Sequence, residues 1–171
     1  MKLSEGVEWG LHCTSVLASL PTKATLPTKA LAEYHGVSET YLSKHLQALT
    51  RGGIIESVPG PRGGYRLARP ATEITLLDVV EAIDGPEPAF RCTEIRQQGS
   101  CAIESSAYRL PCTIHVAMAR AEKLWRNELR AQTIADIVAQ LGDIVPQRVQ
   151  HLAEKWLSEN VRTASELGRR Y

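Results

Sequence analysis

Apolar residues recur through the first twenty positions at helical spacing, and on two faces rather than one. Leu3, Val7, Leu11, Thr14 and Ala18 fall on one side of the predicted helix, Trp9, Cys13, Val16 and Leu20 on a second. A polar stripe of Glu5, Glu8, His12, Ser15 and Ser19 runs between them. The helix should therefore be buried on two sides, with Glu8 and His12 together on the third. Pro21 ends it. A shorter helix is predicted from Thr28 to Tyr34, closed by the turn His35-Gly36-Val37 with glycine at the helix end. Ser38 can cap the next helix, which runs through Tyr41, Leu42, His45, Leu46 and Leu49 and stops before Gly52-Gly53. Two short helices about a glycine turn make a helix-turn-helix. The stretches 54–58 and 65–67 read as strands around a Gly/Pro-rich turn, a wing with Arg62 in its tip.

Downstream, Thr75-Leu76-Leu77-Asp78 has the form of a capping box and opens a helix to about Ile83. Asp84-Gly85-Pro86-Glu87-Pro88 breaks it, and 90–112 carries no periodicity that selects a regular element. Pro111 is placed to open a long helix. In it Ile114, Ala117, Met118, Ala121, Leu124 and Trp125 share one face, and Arg120, Lys123, Asn127 and Arg130 the other. A long amphipathic helix outside a small DNA-binding head suits a homodimer interface, which paired DNA half-sites would match. The plainer alternative is a helix folded back on its own domain. Further helices are expected over 133–141 and from Gln147 to about Glu159, with a loose end at Arg169-Arg170-Tyr171. The expected fold is mainly α with a small β wing: a winged helix-turn-helix head over 1–84 and a loop over 85–112. A dimerisation helix region over 113–145 and a C-terminal helix and tail over 146–171 complete it.

Composition adds class and compartment. The 171 residues are 43% hydrophobic and 23% charged, as in an ordinary globular chain. No apolar run reaches membrane-spanning length, and the first residues do not begin a signal peptide, so a cytoplasmic protein is expected. The net charge of +1 hides an uneven distribution. Residues 21–70 hold seven Lys and Arg against three Glu, and residues 71–100 hold two Arg against six Asp and Glu. A basic head beside an acidic neck fits a phosphate-facing surface, although mixed charges also simply solvate a protein. Ser38, Thr40, Tyr41, Ser43 and Lys44 on the second helix of the motif are best placed to meet DNA, with Arg62 a candidate for the minor groove. No nucleophile–base constellation or phosphate loop occurs, so no enzyme activity is expected.

Four cysteines in a reducing compartment favour metal or redox chemistry over structural disulfides. Cys92, Cys101 and Cys112 fall in the irregular stretch; Cys13 falls on an apolar stripe and reads as a buried small residue. Glu8 and His12, four apart, project from one helical face and could grip one iron. Oxygen and nitrogen donors beside two thiolates would raise a cluster's potential, as histidine ligation does in Rieske centres. The pair could also be an ordinary polar couple on a solvated stripe. Cys101 and His115 offer a rival set with Cys92 and Cys112. Two other readings stay open: a cluster-free regulator whose loop thiols form a thiol–disulfide switch, and a zinc-stabilised interaction module.

Three strings extend the picture together. Val37-Ser38-Glu39-Thr40-Tyr41-Leu42-Ser43-Lys44-His45-Leu46, the wing Gly60-Pro61-Arg62-Gly63-Gly64-Tyr65-Arg66-Leu67, and Ile74-Thr75-Leu76-Leu77-Asp78-Val79-Val80 with Ile83-Asp84-Gly85 resemble the Rrf2 family. These are dimeric bacterial winged-helix transcriptional regulators, including the iron–sulfur cluster regulator and the nitric-oxide sensor. The likeness covers roughly residues 1–141. Glu8-Trp9-Gly10-Leu11-His12-Cys13 and 85–96 resemble in particular its actinobacterial redox-sensing branch. That resemblance implies a 2Fe–2S cluster held by Glu8 and His12 of one subunit and Cys92 and Cys112 of its partner. It also implies that Trp9 changes position with the oxidation state. The iron–sulfur cluster regulator would instead suggest Cys92, Cys101, Cys112 and His115, at longer spacings than its compact loop. One family member has an acidic residue at the position of Ser43 for site discrimination, which leaves the operator sequence open.

Overall fold

The computed structural model describes residues 2–60 and 63–163, so Arg62 and the 169–171 end lie outside the described residues. Helix α1 (Glu5–Ala18) leads into α2 (Thr28–His35) and α3 (Glu39–Arg51), followed by a hairpin of β1 (Ile55–Val58) and β2 (Gly64–Leu67). Helix α4 (Leu76–Asp84) closes the head. A long loop with two short 3-10 turns then reaches α5 (Thr113–Ala131), α6 (Ile134–Ile144) and α7 (Gln147–Asn160). The expected architecture, mainly helical with a two-stranded antiparallel wing, is the one observed.

The core shows why these helices pack. Leu17 and Cys13 of α1, Leu31 of α2, Leu42, Leu46 and Leu49 of α3, Ile55 of β1 and Val79 of α4 meet at its centre, each at most 3% exposed. Burying each large aliphatic side chain contributes about 1.5–3 kcal/mol. Local chemistry fixes the ends of the elements. Gly36, with φ +69, ends α2 in the left-handed conformation that turns the chain into α3. The Ser38 hydroxyl accepts the Tyr41 amide at 3.2 Å, as its cap position predicts. Thr75 and Asp78 form the predicted capping box of α4, and Thr133 with Asp136 forms a second one that starts α6. The two boxes lie together: the Leu76 amide bonds to Gln132 O at 3.0 Å, and the Ile134 amide to Ile74 O at 2.8 Å.

Three features depart from the pattern read along the chain. Helix α5 begins at Thr113 with Cys112 as its cap residue, leaving Pro111 outside it. The chain breaks at Gln132, whose extended backbone turns α6 away from α5 and lets Ile134 enter the core. The polar stripe of α1 is solvated at Glu8 and His12, but Ser15 is only 9% exposed because α6 and α7 lie across it. Glycine opens α1 to its other neighbours. A Cβ on Gly6 would come within 2.5 Å of the His45 ring, and one on Gly10 within 3.2 Å of Val79. That closeness is available only where no side chain intervenes.

Candidate metal centre and DNA interface

Of the loop thiols, the fold brings two together. Cys112 occupies the cap position of α5 and is 9% exposed, while Cys92 is half-buried beside it and Cys101 is exposed. The Cys112 thiol is held below the ordinary cysteine range. The backbone amide of His115 is the largest cause; burial opposes it, and the Ile114 amide, the Arg96 guanidinium and a hydrogen bond with Cys92 reinforce it. A thiolate at a helix amino terminus has amides and the helix dipole aimed at it. Cys13 is the opposite case: it is 1% exposed, and burial pushes its thiol up to about 12, which makes it inert packing.

Arg96 organises the loop around this pair. Its Nε and Nη2 bond to Glu94 Oε2 at 3.0 and 2.8 Å, its Nη2 also reaches Leu110 O at 3.2 Å, and its guanidinium lies 5.2 Å from the Tyr108 ring centre. Tyr108 Oη donates back to Arg96 O at 2.8 Å, and the Cys92 thiol faces Glu94 Oε1 at 3.7 Å. One planar donor fork thus ties the start of the loop to its end and sets both cysteines side by side. Sequence reading assigned Glu94 and Arg96 no role. The available signal was a close opposite-charge pair just after a cysteine. The loop's entry is fixed separately: Arg126 of α5 bonds to Glu81, Glu122 and the Pro86 carbonyl, and the Ala89 amide donates to Glu122 at 3.1 Å.

The other two candidate ligands, Glu8 and His12, are exposed on one face of α1. Among the described residues no three His, Cys, Asp or Glu side chains are placed to hold one metal ion. Neither the set Glu8, His12, Cys92 and Cys112 nor the set Cys92, Cys101, Cys112 and His115 is therefore assembled within a single chain. His115 is half-buried with its ring 6.4 Å from that of Phe90.

Trp9, between the two helix candidates in sequence, points toward the DNA-binding motif. Its ring lies 6.0 Å from His35 of α2 and 6.4 Å from Tyr41 of α3, both edge-on. Tyr41 Oη donates to Glu5 Oε2 at 3.0 Å, and its ring lies 5.0 Å from His45. On α3, Ser38 and Tyr41 thus have local partners in the free protein, as does Ser43, whose hydroxyl donates to Glu39 O at 2.7 Å. Thr40 and Lys44 are exposed.

The profile of the Rrf2 family, described as an iron-dependent transcriptional regulator, matches residues 3–140. The chain belongs to the Rrf2 family. It is 29% identical over 144 residues to the HTH-type transcriptional regulator YwgB of Bacillus subtilis, covering 84% of this chain and 88% of that one. Among solved structures it resembles the oxidized form of Staphylococcus aureus CymR, with 27% identity and TM-score 0.60 over 81% of this chain and 96% of that one. The T. potens IscR structure shares the fold at TM-score 0.63 and 22% identity, over 85% and 92% of the two chains. As an Rrf2 protein the chain is a DNA-binding transcriptional regulator of winged-helix type. Helix α7 lies beyond the matched region, and among the described residues no helix is long and apolar enough to cross a membrane.

Proposed function

We propose that this Rrf2 regulator works as a cytoplasmic homodimer carrying a redox-sensing 2Fe–2S cluster at each of two sites shared between subunits. Glu8 and His12 of one protomer and Cys92 and Cys112 of its partner are the ligands. The observation that carries the reading is the preformed thiol pair, with Cys112 biased to thiolate and Arg96 beside it. Two cysteine sulfurs on one surface and a carboxylate–imidazole pair on another are each half of a four-ligand set, and the donor chemistry fits a cluster of raised potential. Arg96 offsets the negative charge that gathers on the sulfurs. A bound cluster would supply a one-electron change of charge at α1. Trp9, one residue from Glu8, would pass a displacement of α1 to Tyr41, and Tyr41 belongs to the recognition helix. Thr40 and Lys44 are then the most available of the proposed DNA contacts, joined by Ser38, Tyr41, Ser43 and Arg62 as the complex forms.

The visible spectrum of anaerobically purified protein tests this. Broad iron–sulfur bands that bleach with dithionite are expected, and they should be lost in Glu8→Ala, His12→Ala, Cys92→Ala and Cys112→Ala but kept in Cys101→Ala and His115→Ala. A colourless, iron-free protein sinks the proposal, and loss only in the loop variants moves the ligand set to Cys101 and His115. The adjacency of Cys92 and Cys112 also favours a second reading, a cluster-free thiol–disulfide switch. Colourless protein in which a mild oxidant links those two sulfurs would select it.

A further inference from the structure

The C-terminal segment reaches the wing by a route that its sequence does not announce. In an antiparallel ladder successive residues direct their N–H and C=O groups to opposite edges. Between α1 and α2 the chain uses both. Leu26 faces the wing, exchanging hydrogen bonds with Tyr65 at 3.0 and 2.8 Å. Thr25 faces the other way and exchanges them with Arg162, at 2.9 and 3.0 Å. The wing is thereby extended sideways, through 25–26, to the residue that follows α7 and its last turn.

Arg162 then crosses back. Its Nη1 donates to Gly63 O at 2.9 Å, ninety-nine residues away. Gly63 closes the wing's tip turn, its amide donating to Gly60 O at 2.8 Å, and a Cβ there would overlap the Val58 carbonyl. The bonded carbonyl therefore belongs to a residue whose orientation is already tightly constrained. The far end of the segment is anchored too. Trp156 packs against Tyr34 of α2 with ring centres 4.8 Å apart and planes tilted by 58°, and Trp156, Leu157 and Val161 pack against the core. An arginine bonded to the wing tip, two residues beyond a helix fastened to the helix-turn-helix, is a mechanical link between the two DNA-facing parts of the head.

We propose that the segment over 147–162 braces the wing, and that Arg162 is a positioning residue for DNA binding that sets the angle at which the wing meets the duplex. The proposal rests on the DNA-binding role of the family and is independent of the cluster. The probe is a short duplex enriched from a random pool by the full-length wild-type chain. Arg162→Ala should bind it about tenfold more weakly, the scale of one lost charge-assisted hydrogen bond. It should also lose the minor-groove hydroxyl-radical protection at the outer flanks while keeping the major-groove guanine protection. Arg162→Lys retains a charged donor of nearly the same reach for the Gly63 carbonyl and should recover most of both. Trp156→Ala should reproduce the Arg162→Ala footprint. Unchanged affinity and footprint in Arg162→Ala overturn the proposal. So does uniform loss of every protection in both Arg162 variants, which marks a collapsed head. A third overturning result is weak binding in Arg162→Ala with the footprint intact and the salt slope reduced by about one, the signature of a direct phosphate contact. A wild-type chain that enriches no duplex would remove the DNA-binding premise and the brace together.

Discussion

Asp78 shows how one side chain can set both a helix start and a pH limit. Its Oδ2 accepts the Thr75 amide at 2.8 Å and the Arg69 guanidinium at 3.0 Å, while its own amide donates to Thr75 Oγ1 at 3.1 Å. Burial raises its pKa, but the Thr75 amide and hydroxyl and then Arg69 outweigh it, so the carboxyl is held below the usual carboxylate range. A depressed folded-state pKa stabilises the fold above the unfolded-state value, and that contribution disappears as pH falls through the folded value. Asp78→Asn should therefore cost about 1 kcal/mol at pH 7, seen as a Tm lower by about 3 °C. The gap between variant and wild type should close as the pH drops below about 4. A gap that persists undiminished in acid would show that the charge is not the source.

At the scale of elements, what could be read along the chain was what local chemistry decides. The caps at Ser38 and Thr75, the glycine turn at Gly36 and the amphipathic repeats each declare themselves within one or two helical turns, and all are present. The pairing of Cys92 with Cys112 was legible only through family likeness, because nineteen residues without a helical or strand period separate them and Arg96 is what closes the loop. The cover over Ser15 was not legible at all. It is laid down by α6 and α7, more than a hundred residues away, and nothing in the α1 stripe distinguishes Ser15 from the exposed His12. Helix spacing was equally silent: Gly52 reads as a stop signal, yet it also lets the end of α3 approach α4. A Cβ on Gly52 would lie 2.8 Å from that of Ala82, and with φ −75 the backbone itself tolerates alanine. Gly52→Ala should thus destabilise the head by about 1–3 kcal/mol through overpacking alone. Ala82→Gly should cost about 1 kcal/mol by itself, as glycine in a helix does, yet restore part of the loss when combined with Gly52→Ala. Strictly additive losses in the melting of the double variant would place the strain elsewhere.

For the whole molecule, α5 states the remaining problem. Nineteen residues long, it has no buried residue in the single chain, and it leaves Ile114, Met118 and Leu124 65%, 43% and 64% exposed. Trp125, grouped with that face by helical spacing, instead borders a groove with Leu3, Val80 and Asp84 of its own head. One side of α5 is thus fastened to its own subunit by Trp125 and Arg126, and the other is free to meet a second copy. If the dimer completes the metal site, ligand variants must complement one another across subunits. A chain carrying Glu8→Ala and His12→Ala keeps its thiols; a chain carrying Cys92→Ala and Cys112→Ala keeps its helix pair. Each alone should be colourless. Co-expressed and isolated as a heterodimer through two different tags, they should form one intact site and one empty one, giving half the iron and half the visible absorbance of wild type. A site contained within one chain predicts no colour in that heterodimer, because neither subunit holds a full set. Ile114→Glu with Leu124→Glu supplies the control: it should yield monomers and abolish the colour with every ligand in place. Full colour in such monomers would refute sharing even if the complementation succeeded, since it would show that four ligands can be gathered without a partner.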